Sequence, residues 1–334
     1  MHQRVVKIIL PFKQKASGLE LLDSDEGIFW WLEESNSANV VISILADSGQ
    51  TEKLMDNFER RFGQTEGFKL IVLPVEASIP RKKEEEIPKL ESEVKAKPKK
   101  SPRISREELH ADIVGSTELS RIYIVFVILS TIVAAIGLMK NNVAVIIGAM
   151  VIAPFLGPSV ALALSTTLGE NKLRNDALRA IIVGFSLVIF LSAIIGYFFI
   201  VDPGIPEIAS RTQTGISDIL LALASGAAGV LAFTTGAPAV VIGVMVAVAL
   251  LPPLTVFGLL MGSGEYNLAT GAFLLFLTNI ICINLAGVTT FLFQGVSPRT
   301  WWEAKKAKKA TRKTLAIWII TLGLLVVVIL LWSN

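Results

Sequence analysis

Residues 144–170 read AVIIGAMVIAPFLGPSVALALSTTLGE, and residues 239–265 read AVVIGVMVAVALLPPLTVFGLLMGSGE. Set in one ungapped register at an offset of 95, 11 of the 27 positions are identical. They include Gly148/Gly243, Met150/Met245, Pro158/Pro253 and the terminal pair Gly169-Glu170/Gly264-Glu265. Shared apolar composition accounts for a few coincidences, but not for a Gly, a Met, a Pro and a Gly-Glu ending at fixed spacing. The chain contains a duplication, and duplicated apolar units are how many transport folds are built.

Working outward, the 334-residue chain is 52% hydrophobic with mean hydropathy +0.62, too apolar for an ordinary soluble domain. Seven apolar runs are long enough to span a bilayer: 121–139, 143–166, 178–200, 216–235, 237–262, 268–293 and 314–332. Membrane repeat 1 covers 121–200 and repeat 2 covers 216–293, three spans each. Three is odd, so the second copy enters from the opposite side, which makes a 3+3 inverted repeat. The seventh span, 314–332, lies outside it.

The basic residues set the orientation. Lys172, Arg174 and Arg179 follow span 2, and Arg299, Lys305, Lys306, Lys308, Lys309, Arg312 and Lys313 follow span 6. With seven spans both groups share the side of the Lys-rich N-terminal region. We expect an inner (cell) membrane protein with a cytoplasmic N-terminus and an outside C-terminus. The segment 297–313 reads as a basic interfacial helix, started by Ser297 and Pro298, with Trp301 and Trp302 suited to the lipid interface. Its residues 305–313 should meet anionic lipid headgroups.

Residues 1–78 are of a different kind. Arg4–Leu10, Ile28–Leu32, Asn39–Ala46 and Phe68–Val75 read as strands. Thr51–Phe62 sets Leu54, Met55, Phe58 and Phe62 on one helical face, and a less defined helix falls near Gly18–Leu22. The order β-α-β-β-α-β predicts a ferredoxin-like α/β domain. Such a domain binds a small ligand or pairs with itself, and we expect a homo-oligomer. Residues 79–104 are a charged linker that cannot bury a core, and their mixed signs argue against a nucleic-acid arm. Residues 105–120 read as an interfacial helix opened by the Ser105/Glu108 capping pattern.

The middle span of each copy carries proline: Pro154, Gly157 and Pro158 in the first, Pro252 and Pro253 in the second. Proline removes a donor and frees carbonyls, which at membrane depth must find protein or water. Both spans are therefore expected to be interrupted, and a solute or ion pathway is expected between them. Candidates to line it are Pro154, Gly157, Pro158, Ser159, Ser225, Pro252, Pro253, Thr255, Asn279 and Asn284. Ser225 lies in Ser225-Gly226-Ala227-Ala228-Gly229, where close helix packing is the competing role. Glu170 and Glu265 are candidate gates or pathway ends, with loop capping as the competing role.

The absences are informative. No Asp, Glu, Lys, Arg or His falls in the middle of a span, which disfavours proton coupling. The two histidines, His2 and His110, lack companion cysteines, so neither a metal site nor a cofactor is expected. Cys282 is the single cysteine. Nothing points to an enzyme. The reading is a transporter or channel whose cytoplasmic domain regulates or oligomerises it. The alternatives are a sensor or scaffold whose soluble domain binds a ligand or partner, and, more weakly, lipid scrambling.

At Gly148–Pro154 and from Ser225–Gly229 through Val248–Pro253 the chain resembles the uncharacterised hydrophobic membrane family catalogued as domain of unknown function 389. The resemblance covers roughly residues 115–295. It implies a membrane fold and brings no activity.

Overall fold

The computed structural model describes residues 3–23, 29–33, 38–75, 106–235, 239–296 and 301–332. The expected linker over 79–104 lies outside them, as do Ser105, residues 297–300 and the side chains of 301–310. The chain divides into two units, Met1–Leu109 and His110–Asn334.

In the first unit, β1 (Gln3–Pro11), α1 (Lys15–Asp23), β2 (Phe29–Glu33), β3 (Asn39–Asp47), α2 (Ser48–Phe62) and β4 (Lys69–Pro74) follow in the expected order. The sheet is antiparallel throughout, in the order β2-β3-β1-β4. Alternation puts Val6, Ile8 and Leu10 of β1 and Val40, Ile42 and Ile44 of β3 on one face, where they bury against Leu54, Phe58 and Phe62 of α2. α1 approaches closely because Gly18 has no Cβ; one would lie 2.7 Å from Leu10 Cδ1. On the opposite face Lys7 Nζ sits 2.7 Å from Glu33 Oε1, and Ser43 Oγ donates to the same oxygen at 2.7 Å. These hydrogen bonds, from Lys7 first and Ser43 second, hold the Glu33 carboxyl below its ordinary pKa.

Beyond β4 come α3 (Arg106–Gly115), α4 (Arg121–Met139), α5 (Val143–Ile152), α6 (Leu156–Leu168) and α7 (Asn171–Phe198). The short α8 (Pro206–Ala209) precedes α9 (Ile216–Thr235), α10 (Ala239–Ser263), α11 (Tyr266–Phe293) and α12 (Trp301–Trp332). Helices α4, α7, α9 and α11 are long and apolar enough to cross a membrane, and the bent pair α5–α6 would make a fifth span. The described side chains of α10 and α12 form shorter apolar stretches, Ala249–Ser263 and Thr314–Ile329. Helices of this length and composition fit a membrane protein. α12 runs without a break from the basic stretch into the apolar one.

The two copies differ where we expected them to agree. In the first, α5 stops at Ile152 and α6 starts at Leu156, with a bend of 54°. Pro154 pushes Ala153 to extended backbone (ψ 123°), which ends the helix. The expected interruption of the second copy is overturned: α10 is continuous, with Pro252 and Pro253 inside it. Position 249, equivalent to Pro154, is alanine, so one of the two prolines that break the first copy is missing.

Elsewhere the copies reproduce each other's geometry. Gly169 and Gly264 both take left-handed backbone, at φ +72° and +87°. Behind them Glu170 N–H donates to Ser165 O at 3.0 Å and Glu265 N–H to Leu260 O at 2.9 Å, the same i→i−5 closure 95 residues apart.

Candidate functional site

Helix α6 is buried along nearly its whole length and packs against α7 and α11, while α10 packs on α5, α7, α9 and α11. Small residues set these approaches. A Cβ on Gly258 of α10 would overlap Ser192 of α7, and one on Gly262 would overlap the Ala193 carbonyl. Advancing from 258 to 262 on α10 thus advances from 192 toward 197 on α7, so the two helices run the same way. A Cβ on Gly287 of α11 would lie 2.9 Å from Ala163 Cβ on α6. Subtracting the repeat offset, Gly258 is equivalent to Ala163, and Ser192 is equivalent to Gly287. The contact 192–258 therefore recurs as its own mirror, 287–163.

Within this interlock the candidate residues fall into three situations. Pro253 has no N–H to give to the carbonyl of Ala249, four residues back. Asn279 of α11 supplies the missing donor, Nδ2 to Ala249 O at 2.7 Å. That bond makes good the donor that Pro253 lacks, within a helix that stays continuous. The equivalent of Asn279 in the first copy is Gly184, where the hydroxyl of Tyr123 fills the space and donates to Ala180 O at 2.8 Å. Because the Ala249 carbonyl only accepts, the Asn279 amide can be oriented one way. Its Oδ1 then faces the interior with no hydrogen-bond partner among the described residues, in a side chain that is 6% exposed.

The second group is satisfied on its own helix. Ser159 Oγ donates to Phe155 O, Thr255 Oγ1 to Leu251 O and Asn284 Nδ2 to Ile280 O, each at 2.8 Å. Asn284 Oδ1, like that of Asn279, is buried without a partner among the described residues. Pro158 is the third residue of α6, where its absent N–H would have had no helical acceptor. Gly157 abuts the Ser116 backbone, and a Cβ there would overlap it. Ser225 is buried beside Gly226, whose missing Cβ lets α9 meet the Ile283 carbonyl of α11. The Gly226 geometry is that of close packing.

The third group lies at the turns. Glu170 Oε2 is 2.9 Å from His110 Nε2, both about one-third exposed. This pair walls a cleft of about 570 Å³ together with Glu118, Lys172, Asp176 and Arg179. Glu265 is exposed, and among the described residues no side chain pairs with it. Among the described residues no three His, Cys, Asp or Glu side chains come close enough to hold a metal ion.

The sequence reading missed three residues: Tyr123, His110 as the partner of Glu170, and Ala249 as the partner of Asn279. The last was within reach, because the i−4 rule names Ala249 as the carbonyl orphaned by Pro253. The Tyr123 and His110 contacts join residues about 60 apart and carry no sequence signal.

Three comparisons bear on this geometry. The sequence profile described as Domain of unknown function (DUF389) matches residues 150–285, which contain the break, both proline segments and Asn279. An uncharacterized protein of Methanocaldococcus jannaschii is 34% identical over 332 residues, covering 99% of this chain and 100% of that one. No solved structure matches.

Proposed function

The chain belongs to the family described as domain of unknown function 389, and on that premise we propose that it is a membrane transporter or channel for a small solute or ion. The architecture we assign is seven spans with a 3+3 inverted repeat. The N-terminus is cytoplasmic, the C-terminus is outside, and the membrane is the inner (cell) membrane. The observation that carries the reading is the reciprocal contact pair 192–258 and 287–163 around one broken and one proline-bearing helix. Helices α7 and α10 run the same way, whereas α6 turns back on α7 at the tight Gly169-Glu170 turn. Equivalent helices α6 and α10 then point in opposite directions, as an inverted repeat requires. Inverted-repeat transporters bind their solute at the repeat interface, near discontinuous helices. The buried Oδ1 atoms of Asn279 and Asn284 are acceptors available to a solute or to water there.

The test is flux in proteoliposomes. Sodium, potassium and chloride are read by entrapped dyes, and small neutral osmolytes by light scattering. Asn279→Leu is made in a Pro253→Ala background, in which the backbone N–H of residue 253 serves Ala249 and the helix no longer needs the amide. Loss of a flux that Pro253→Ala alone retains supports a pathway at Asn279. Unchanged flux removes it.

One observation favours a second reading, a sensor or scaffold in which the repeat is a packing solution. The interior hydroxyls of Ser130, Ser159, Thr255 and Thr278 all donate to their own helices. In that case no probe crosses, and the N-terminal domain carries the function by binding a ligand or partner. We further propose that the chain is a homo-oligomer, is not an enzyme, and meets anionic lipid at 305–313.

A further inference from the structure

The face of the N-terminal sheet that bears Lys7 and Glu33 is a grid whose rows follow from the strand register, with β2 and β4 as its edges. Phe29 and Leu73 end the first row, connected through Leu45 and Val5. Trp31 and Ile71 end the second, and Glu33 and Lys69 end the third. The core and both helices lie on the other face. Among the described residues no element covers this one: Phe29 is 66% exposed, Ile71 41% and Leu73 42%.

We propose that a second copy of this chain docks on this face, sheet on sheet, about a twofold axis parallel to the strands. Such an axis reverses the lateral order of the strands and leaves the rows in place, so β2 of one copy lies over β4 of the other. Phe29 then meets the partner's Leu73, Trp31 the partner's Ile71, and Glu33 the partner's Lys69. Two of these pairs are apolar on apolar and the third joins opposite charges. Among the described residues Lys69 has no ion pair within its own chain, and Glu33 is a hydrogen-bonded carboxylate already oriented by Lys7 and Ser43. The other in-plane twofold, across the strands, sets Phe29 over the partner's Glu33 and Leu73 over the partner's Lys69. It buries charge against apolar side chains, which is costly.

The dimensions fit. Sheets stack about 10 Å apart, crossing at about 30°. With strands about 4.8 Å apart, the edge strands lie about 7 Å from the axis, so that crossing displaces them by about 4 Å. This is a little over half of the roughly 6.7 Å between rows, an offset that the long Phe29, Trp31, Glu33 and Lys69 side chains can bridge. A patch of this size buries on the order of 1,000 Å² in total, the lower end of specific interfaces. Anchoring both copies in one bilayer raises their effective concentration and compensates for the modest area. A strand-parallel axis also keeps the C-terminal ends of both β4 strands on one side, as two chains entering the same membrane need. The proposal rests on no part of the transport reading.

The test uses the full-length chain with Cys282→Ser in lipid vesicles. Chains bearing Phe29→Cys are co-expressed with chains bearing Leu73→Cys and treated with a short bis-maleimide. The expected result is 29–73 crosslinked dimers at roughly tenfold the yield of either variant alone, or of Phe29→Cys paired with Arg60→Cys on exposed α2. Lys69→Glu, a change at an exposed residue, should cut that yield severalfold. Dominant 29–29 and 73–73 products would overturn the strand-parallel axis. A 29–73 yield no higher than the Arg60 control, from protein that elutes as a single folded species, would overturn the interface.

Discussion

The side-chain amide of Asn279 donates to the carbonyl of Ala249 at 2.7 Å, and that is the carbonyl Pro253 leaves without a backbone donor. One residue on α11 thereby restores the donor that Pro253 removes from α10, which stays continuous where its repeat mate breaks. Removing the amide leaves a buried carbonyl unpaired, at a cost of about 1–3 kcal/mol. Asn279→Ala should destabilise the protein by that amount in thermal unfolding in bicelles. In a Pro253→Ala background the same change should cost about 0.5 kcal/mol or less, because residue 253 then supplies the donor. Equal costs in both backgrounds would mean that the hydrogen bond does not stabilise the helix.

The reciprocal contacts make a compensation test. Gly287→Ala places a methyl 2.9 Å from Ala163 Cβ. It should cost about 1–3 kcal/mol by overpacking. Adding Ala163→Gly moves the methyl from one helix to the other and should recover most of that loss in the same assay. Failure to recover would separate α6 from α11 at this point.

The two equivalent turns should respond alike. Gly169 and Gly264 hold φ of +72° and +87°. Each Gly→Ala change should cost roughly 1 kcal/mol through the left-handed backbone. The two costs should agree within about 0.5 kcal/mol if the turns are structural duplicates. A neutral change at either glycine would mean that its backbone is free to leave that conformation.

The N-terminal sheet should lose stability in acid. The folded Glu33 carboxyl titrates below its ordinary value of 4.5 because Lys7 and Ser43 hydrogen-bond its charged form. Its contribution is present above that ordinary value and is lost as pH falls through the lower folded one. Hydrogen exchange in β1 and β3, corrected for intrinsic rates, should accelerate over that interval, and Glu33→Gln should flatten the dependence. An unchanged profile in Glu33→Gln would assign the acid loss to other groups.

Much of this fold was legible in the sequence, and for identifiable reasons. Val6, Ile8 and Leu10 alternate, and Leu54, Phe58 and Phe62 recur at helical spacing, so the β-α-β-β-α-β order followed from local pattern. The duplication was visible because Pro158/Pro253 and Gly169/Gly264 keep their register. Pro154 announced the break that Ala153 makes. What the sequence did not yield was the continuity of α10. The donor lost at Pro253 is supplied by Asn279, on another helix, and a local rule sees only the loss. His110 was likewise opaque, since its meeting with Glu170 depends on how α3 lies against the α6–α7 turn. The site is therefore less open than two matched breaks would have made it: one copy is broken and the other is closed by an amide.

If the two copies cross the membrane in opposite senses, as proposed, the equivalent turns at Glu170 and Glu265 face opposite sides of it. In a Cys282→Ser chain, Glu170→Cys and Glu265→Cys are labelled separately with a membrane-impermeant maleimide in right-side-out and inverted vesicles. Glu265→Cys should label from the outside and Glu170→Cys only in inverted vesicles. Labelling of both from the same side would contradict the inverted repeat, and with it the structural basis proposed for transport.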